Sequence, residues 1–239
     1  MLLSFWSPKG GSGTSVVTAA CALVLTRSTA TFRAPGARLV DLGGDQPAIF
    51  GLDRDPDTGV ADWLTIGPEA PTDALDRLAV EAAPGLALIP RGQPTRTLAP
   101  PAAAEAGAAL AVALRDGPVP TLLDLGAAAT PATRALLEVS DLAVVVLRSC
   151  YLALRRTVRA PGLERCHGVV LVEEAGRSLQ ARAVGDVLDR PVLARIPIRT
   201  TVARAVDAGV LAARLPEVLA RPATTLCEAV GLLPDRRAA

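Results

Sequence analysis

SPKGGSGTS, residues 7–15, carries the clearest structural signal in this chain. It follows the apolar run of residues 2–6 and precedes a helical run from Thr14 to about Arg27. Its glycines let the backbone turn so that several N–H groups point inward, and the N-terminus of a helix carries partial positive charge. A strand, a glycine-rich turn and a helix in this order predict a loop that binds phosphate.

The loop also contains the only lysine of the chain, Lys9. The other 24 of the 25 basic residues are arginines. In a chain that uses arginine almost everywhere else, a single lysine directly before two glycines indicates a chemical role for a compact ammonium group, with chance as the alternative. Ser15 stands where a P-loop hydroxyl would hold Mg²⁺, but Thr14 occupies the position where the usual motif has lysine.

Short apolar runs alternate with helical stretches along the rest of the chain. Continuous runs of Val, Leu and Ile predict strands that are buried on both faces, and their alternation with helices predicts a parallel sheet with right-handed crossovers. We therefore predict an α/β fold, a doubly wound and mainly parallel sheet of seven or eight strands, in a single domain over residues 1–239. The predicted strands are 2–6, 37–42, 85–90, 121–126, 141–147, 167–172 and 191–197. The predicted helices are 14–27, 101–115, 131–139, 151–160, 178–188, 199–208 and 216–230.

Composition excludes several classes of protein. Half of the 239 residues are apolar, which excludes a disordered chain, and only 3% are aromatic, which argues against base-stacking platforms for single-stranded nucleic acid. Four widely spaced cysteines and one histidine indicate neither a disulfide framework nor a zinc site. The beginning of the chain does not resemble a signal peptide, and no apolar run is long enough to span a membrane. We expect a cytoplasmic protein.

The charge is unevenly distributed although the formal net charge is only +1. Residues 1–147 contain ten basic and 15 acidic residues, whereas residues 148–239 contain 15 arginines and nine acidic residues. A modestly basic second half is compatible with phosphate contacts but does not require them.

KGGSGTS, residues 9–15, resembles the deviant Walker A motif of the ParA/MinD family, whose pattern is KGGxGK followed by Thr or Ser. Other stretches in the same order also resemble that family. ARLVDL (37–42) resembles the strand that ends at switch I, GLALIPRG (85–92) the third strand and its exit, and TLLDLG (121–126) the Walker B strand. PVLARIP (191–197) with VARAVDAG (202–209) resembles the late strand and the helix after it. The resemblance therefore covers most of the chain.

The resemblance implies a P-loop NTPase fold that binds ATP or another nucleotide and forms a homodimer. In that family the early lysine reaches across the dimer interface to phosphates bound by the other subunit, and Lys9 matches it. Ser15 and Asp124 match the positions that hold Mg²⁺, if the metal is bound. The implied switch-region residues are Asp41, Asp45 and Asp124. The implied phosphate-binding residues are Lys9, Gly10, Gly11, Ser12, Gly13, Thr14 and Ser15.

Three departures from the family pattern concern ATP turnover. Thr14 cannot supply the ammonium group that neutralises the β- and γ-phosphates. The second aspartate of switch I is replaced by Gly43, and Asp45 comes two residues late. Glu173 and Glu174 stand where the family uses an asparagine to recognise the base, and a carboxylate cannot reproduce the donor and acceptor of an amide. We expect a degenerate ATPase that binds nucleotide with little or no hydrolysis.

The function implied is a nucleotide-responsive positioning or recruitment switch for cell division, pilus or envelope machinery. Within the family, WSPKGGSGTS and DLGGDQPA most resemble an actinobacterial branch near Flp/Tad pilus and septum-site proteins. We expect a protein partner at the pole, septum or pilus, which could also recruit the chain to the membrane. The alternatives are a scaffold that needs no ligand, a binder of another nucleotide such as a cyclic dinucleotide, and, with least support, a reductase or ligase.

Several other residues have a structural and a functional interpretation. Arg155, Arg156 and Arg159 indicate a solvated helix face or weak non-specific contacts to DNA phosphates. Arg199 and Arg204 are interpreted as surface residues or as contacts at the nucleotide edge or the dimer interface. His167 is interpreted as structural, Trp6 as packing in the core or at an interface, and Trp63 as the anchor of a short helix.

The C-terminal stretch, residues 223–233, has apolar residues at helical spacing but almost no basic face. A helix that lies in a membrane surface pairs its apolar side with lysine or arginine. We therefore expect no direct membrane insertion.

Overall fold

The computed structural model describes residues 1–27, 36–71, 73–93, 97–115 and 117–234. These residues contain an eight-stranded sheet in the order β3-β4-β2-β5-β1-β6-β7-β8. Only the edge pair β3 and β4 is antiparallel, and every other neighbouring pair is parallel. The strands are β1 (Leu2–Trp6), β2 (Ala37–Asp41), β3 (Val80–Ala83), β4 (Leu86–Ile89), β5 (Thr121–Asp124), β6 (Leu142–Arg148), β7 (Gly168–Glu173) and β8 (Val192–Pro197).

Helices cover both faces of the sheet, so each central strand is buried on both sides. One apolar core lies between the sheet and α1, α9 and α10, and a second lies on the opposite face under α3 to α8. The helices are α1 (Thr14–Arg27), α2 (Gln46–Ile49), α3 (Val60–Ile66), α4 (Ala74–Leu78), α5 (Pro100–Arg115), α6 (Pro131–Val139), α7 (Tyr151–Val158), α8 (Ala181–Leu188), α9 (Thr200–Asp207) and α10 (Glu217–Ala229).

The register of the central strands brings polar groups together at one edge. In the parallel pair β2–β5, Asp41 lies opposite Asp124, and in the pair β1–β5, Phe5 lies opposite Asp124. The carboxyl ends of β1, β2 and β5 therefore meet at the same place, directly before the loop of residues 7–13. Ligands bind at this edge in open parallel sheets, where neighbouring strands lead to helices on opposite faces.

The predicted α/β sheet and its seven strands are confirmed, with ends that differ by one or two residues. The eighth strand, β3, was not predicted because four residues of mixed polarity at a sheet edge show no clear period. Helices α2 and α4 were missed for the same reason, since four or five residues span little more than one turn. The Pro/Gly-rich stretch 90–101 is interpreted from its sequence as a surface loop, and residues 94–96 within it lie outside the described residues.

Helix α1 is buried along most of its length and packs against α10. This contact brings together Cys21 and Cys227, both fully buried, which the sequence places far apart. A hydrogen bond with Cys227, and burial, raise the pKa of the Cys21 thiol well above its ordinary value. The apolar residues of the C-terminal stretch also contribute to this core, since Leu226 and Leu233 are buried in it.

Helices α5 and α6 approach each other closely at Gly107. A Cβ atom at this position would lie 2.4 Å from the carbonyl oxygen of Ala132 in α6. Because the obstacle is backbone, a side chain here can be accommodated only if the helices move apart.

We predict that Gly107→Ala destabilises the protein by about 1–3 kcal/mol through overpacking. Helix propensity alone predicts the opposite sign, a gain of about 1 kcal/mol. Urea denaturation measures the difference. The control is Gly117→Ala, where the nearest atom would be 3.8 Å from the new Cβ and stability should stay close to that of the wild type. A Gly107→Ala variant as stable as the wild type, or more stable, would show that the two helices do not constrain each other here.

Candidate functional site

A cleft of about 790 Å³ opens at the carboxyl ends of the central strands. Four segments line it: residues 10–16 with Ser7, residues 42–49 in part, residues 125–130, and the end of α9 at Val206 and Asp207. Arg91 and Thr133 also line it. Most of the predicted phosphate-binding residues therefore share one cleft, but the side chain of Lys9 does not line it.

The loop before α1 is folded around one carbonyl oxygen. The hydroxyl groups of Ser7 and Ser12 both donate to the carbonyl oxygen of Lys9, at 2.8 and 3.0 Å. Gly11 and Gly13 have φ angles of 74° and 90°, in the left-handed region that favours glycine. The shape of the loop therefore favours glycine at positions 11 and 13, whatever ligand it binds.

The N-terminus of α1 presents donors without acceptors. The first hydrogen bond of this helix runs from the N–H of Val17 to the carbonyl of Gly13, so the N–H groups that precede it have no partner within the helix. The hydroxyl oxygen of Thr14 is also buried, and among the described residues it has no hydrogen-bond partner. Unpaired N–H groups at the positive end of a helix form a site for an anion, and phosphate fits this chemistry.

Two buried carboxyl groups lie beneath the cleft. Asp41 accepts hydrogen bonds from the backbone N–H groups of Gly44 at 2.6 Å and Gln46 at 3.0 Å. Asp124 accepts from the side-chain amide of Gln46 at 2.8 Å and from the N–H of Gly126 at 3.1 Å. These bonds stabilise carboxylates that water cannot reach.

Gln46 joins the two halves of the site, and the sequence analysis did not identify it. Its amide nitrogen donates both to Asp124 and to the carbonyl of Ser15, at 3.0 Å, while its own amide oxygen is buried without a partner. The available signal was its position in DLGGDQPA, directly after the predicted switch residues. Asp45 is exposed, and one of its carboxylate oxygens accepts from the hydroxyl of Ser15 at 3.3 Å.

Burial dominates the acid–base behaviour of this pair. Burial and, to a smaller extent, the nearby Asp124 raise the pKa of Asp41 from 3.8 to about 7, although the N–H groups of Gly44 and Gln46 oppose the shift. Burial also raises the pKa of Asp124, opposed by hydrogen bonds from Ser15 and Gln46. A cation bound nearby would favour the charged forms of both carboxyl groups.

The oxygen atoms at the cleft suit Mg²⁺ in part. The hydroxyl of Ser15 and the carboxylate of Asp45 face the cleft, with Asp124 behind them, and hard oxygen ligands are those that Mg²⁺ prefers. Within the described residues, no three His, Cys, Asp or Glu side chains form a group that could hold a metal by themselves. The site therefore fits a magnesium ion that keeps water and phosphate ligands, not one enclosed by protein.

Other predicted residues lie outside the cleft. Glu173 pairs with Arg195 at 2.8 Å, and Glu174 pairs with Arg177 at 3.1 Å and more loosely with Arg148 at 3.5 Å. These ion pairs direct both carboxylates to other residues, and neither side chain lines the cleft.

Arg199 and Arg204 are exposed, and α9 contributes Val206 and Asp207 to the cleft instead. Position 43 does lie at the site, since a Cβ atom on Gly43 would be 3.4 Å from a carboxylate oxygen of Asp124.

Arg91 is a cation of the cleft that the sequence analysis did not single out. Its side chain lies against Gly44, where an added Cβ would be 3.3 Å from its Cδ atom. Its backbone is held at the start of α3, because the N–H of Val60 donates to Pro90 and that of Ala61 donates to Arg91, at 2.8 and 3.0 Å. Within the described residues its guanidinium forms no ion pair. An arginine just after a strand is too common a pattern to have indicated this.

Residues interpreted as structural are found in structural roles. Trp6 is buried and donates its indole N–H to the sulfur of Cys166 at 3.1 Å, and burial raises the pKa of that thiol to about 11. His167 accepts from the N–H of Ala143 at 3.1 Å and so ties β7 to β6. Trp63 is buried in α3. No helix in the described part of the chain has the length and apolar character needed to cross a membrane.

Comparison with solved structures supports the fold. A ParA family ATPase from Chlorobium tepidum TLS superposes with a TM-score of 0.71 at 20% identity, over 97% of this chain and 98% of that one. The septum site-determining protein MinD with Mg-ADP from Pyrococcus horikoshii OT3 gives 0.75 at 20% identity, over 100% and 97%. The MinC:MinD cell division protein complex of Aquifex aeolicus gives 0.73 at 15% identity, over 97% and 96%.

The chain therefore has the fold of the ParA and MinD ATPases along essentially its whole length, as the resemblance implied. No protein-family profile matches the sequence, and no curated protein matches it.

We predict that the metal-free protein loses stability as the pH rises from 4 towards 7. The native state retains a proton on Asp41 up to about pH 7, whereas the unfolded chain releases it near 3.8, so unfolding becomes easier as the pH rises. One such carboxyl contributes at most about 1.4 kcal/mol per pH unit. Urea denaturation across this range, with a chelator present, measures the slope.

Asp41→Asn should flatten this slope, since the substituted side chain does not titrate. The control is Asp53→Asn at an exposed position, which should leave the slope unchanged. If wild type and Asp41→Asn lose stability equally with pH, the buried carboxyl is not the cause.

Proposed function

We propose that the chain is a member of the ParA/MinD family that binds a nucleotide with Mg²⁺ in this cleft and acts as a positioning or recruitment switch. The observation that carries the proposal is the unsatisfied N-terminus of α1. The buried hydroxyl of Thr14 and the N–H groups beside it lack partners, and buried polar groups without partners are uncommon in folded proteins. The sequence resemblance in residues 9–15 and the shared fold support the same conclusion.

Each part of the site has a role in this proposal. The N–H groups at the start of α1 donate to the phosphates, and the hydroxyl of Thr14 adds a neutral donor. Ser15, Asp45 and Asp124 would hold Mg²⁺, directly or through water, as inferred from their oxygen chemistry. When bound, the metal would neutralise phosphate charge. The nearby MinD structure was solved with Mg-ADP, which supports this ligand class.

The positive charge of the site is placed differently from the family pattern. Thr14 brings no charge to the base of the loop, and the lining cation is Arg91 on the opposite wall. Lys9 is only partly exposed and makes no ion pair within the described residues. Because its side chain does not line its own cleft, we assign it to the phosphates of a second copy in a homodimer.

Hydrolysis is weak or absent in this proposal. Gly43 lies against Asp124 at the point where the family has a carboxylate that positions water, and it has no side chain to do so. Losing the charge-assisted bonds of the missing lysine costs about 1.5–3 kcal/mol each. The chain then works by binding and releasing ligand and partner, not by rapid turnover.

The cellular role follows the family pattern. We propose a protein partner in the division, pilus or envelope machinery, with the actinobacterial Flp/Tad pilus or septum-site branch as the specific assignment. The MinC:MinD complex supports partner binding on this fold. The binding experiment described next also tests two alternatives: a scaffold that assembles without ligand, and a site for another nucleotide such as a cyclic dinucleotide.

We predict that Thr14→Lys increases affinity for MgATP by about ten- to a hundredfold, because a charged donor replaces a neutral one beside the phosphates. Isothermal titration calorimetry measures the affinity of the wild type and of Thr14→Lys for MgATP, MgADP, MgGTP and a cyclic dinucleotide. The matched control is Ala129→Lys, which adds the same charge to another exposed wall of the cleft. An equal gain in the control would mean that general electrostatics, not a phosphate at α1, explains the effect. Absence of any binding by either protein would favour the scaffold.

We also predict that Lys9→Ala abolishes ligand-dependent dimerisation while the monomer stays folded. The compact ammonium of Lys9 neutralises phosphate charge at an interface, and no residue on the same loop can replace it. Light scattering with and without the best ligand from the calorimetry measures the mass. Arg214→Ala, an exposed cation elsewhere, is the control and should dimerise like the wild type. Identical masses for wild type and Lys9→Ala under both conditions would contradict the switch.

A further inference from the structure

A second cavity, of about 460 Å³, lies beside the nucleotide cleft. The two share one wall, residues 127–129, which lines both. Trp6, Pro8 and Pro161 contribute apolar surface to the second cavity. Its charged lining comes from four arginines and includes no acidic residue. These arginines are Arg134, Arg155, Arg156 and Arg159. We call this cavity the arginine pocket.

Helix α7 and the residue that follows it supply most of this charge from one face. Arg155, Arg156 and Arg159 lie three, four and seven residues after Leu152, which places all four on one side of the helix. Arg134 approaches from α6. Within the described residues, none of the four guanidinium groups forms an ion pair or a side-chain hydrogen bond, whereas many other arginines of the chain do.

Four unpaired guanidinium groups around one pocket repel each other, and this repulsion is relieved when an anion enters. Carboxylates match the planar fork of arginine and can bind it through two parallel hydrogen bonds. The pocket is thus complementary in charge to a group of carboxylates.

The same helix exposes apolar side chains that a purely electrostatic site would not need. Tyr151 is 74% exposed, Leu152 is 50% exposed and Val158 is 49% exposed. Arginine and tyrosine are enriched at protein–protein interfaces, where they act as anchors. Because Leu152 also lines the arginine pocket, apolar and cationic groups face the same ligand.

We propose that the arginine pocket binds an acidic segment of a partner protein. An apolar side chain of that segment packs against the apolar lining of the pocket, and its Asp and Glu residues pair with the arginines. The apolar lining residues Trp6, Pro8 and Pro161 and the exposed apolar residues of α7 favour a protein over nucleic acid, whose surface is dominated by charged phosphates. The proposal goes beyond nucleotide binding and does not depend on it.

The test is fluorescence anisotropy with a labelled peptide of four Glu-Glu-Leu repeats as the probe. Two peptides of equal length separate charge from apolar contact: four Glu-Glu-Ser repeats and four Lys-Lys-Leu repeats. We expect saturable binding of the Glu-Glu-Leu peptide, clearly weaker binding of the Glu-Glu-Ser peptide and none of the Lys-Lys-Leu peptide. Binding should weaken as salt is added.

The variants locate the binding site on the surface. Arg155→Glu with Arg159→Glu should lower the affinity for the Glu-Glu-Leu peptide at least about tenfold, since each charge-assisted bond lost costs about 1.5–3 kcal/mol. Leu152→Ser should weaken the binding of the Glu-Glu-Leu peptide but leave the binding of the Glu-Glu-Ser peptide unchanged. The control for charge is Arg54→Glu with Arg214→Glu, two exposed arginines outside the pocket, and it should bind like the wild type.

Four results would overturn the proposal. They are no saturable binding of the Glu-Glu-Leu peptide, equal binding of the two acidic peptides, an equal loss in the control variant, and tighter binding of a DNA duplex that the pocket variants abolish. The last result would assign the pocket to nucleic acid. Circular dichroism checks that the variants fold, and Arg155→Gln with Arg159→Gln replaces the double Glu variant if that one does not.

Discussion

The proximity of two buried carboxyl groups, Asp41 and Asp124, is the constraint on which the rest of the site depends. Parallel pairing of β2 with β5 places these residues opposite each other at the ends of their strands. Water does not reach them, so their charge must be balanced by protons, hydrogen bonds or a cation. Gln46 provides the hydrogen bonds from one side and also holds the start of α1 through Ser15.

This link explains how an acidic group and an anion site can lie next to each other. The N-terminus of α1 attracts negative charge, whereas the carboxyl pair repels it. The proposed nucleotide with its metal would satisfy both, because the phosphates would meet the N–H groups and the cation would meet the carboxylates. The two halves favour ligands of opposite charge. Gln46 lies at their junction, and its amide oxygen has no hydrogen-bond partner among the residues that the structure describes.

The segment from Gly126 to Ala129 gives the site a connection to the surface. It begins two residues after Asp124. Gly126 lines the cleft at the strand ends, and residues 127–129 line both this cleft and the arginine pocket. Ala128 has a φ angle of 44°, a strained conformation for a residue with a side chain. Such strain persists only where the surroundings hold it. The two cavities are therefore separated by a short stretch of backbone whose shape is set by its neighbours.

The sequence by itself determined the sheet, its seven parallel strands and the loop of residues 7–15, because periodicity, glycine positions and strand ends are local properties of the chain. It pointed to Ser15, Asp45 and Asp124 through the resemblance of their motifs to those of the ParA/MinD family. It could not identify Gln46 or Arg91. It also could not show that Glu173 and Glu174 form ion pairs with arginines, because these facts depend on which strand ends become neighbours. It listed Arg155, Arg156 and Arg159 as a solvated face or weak DNA contacts. Only the tertiary structure brought Arg134 and Trp6 to the same place and formed a pocket, since side chains far apart in the chain meet only when helices pack on the sheet.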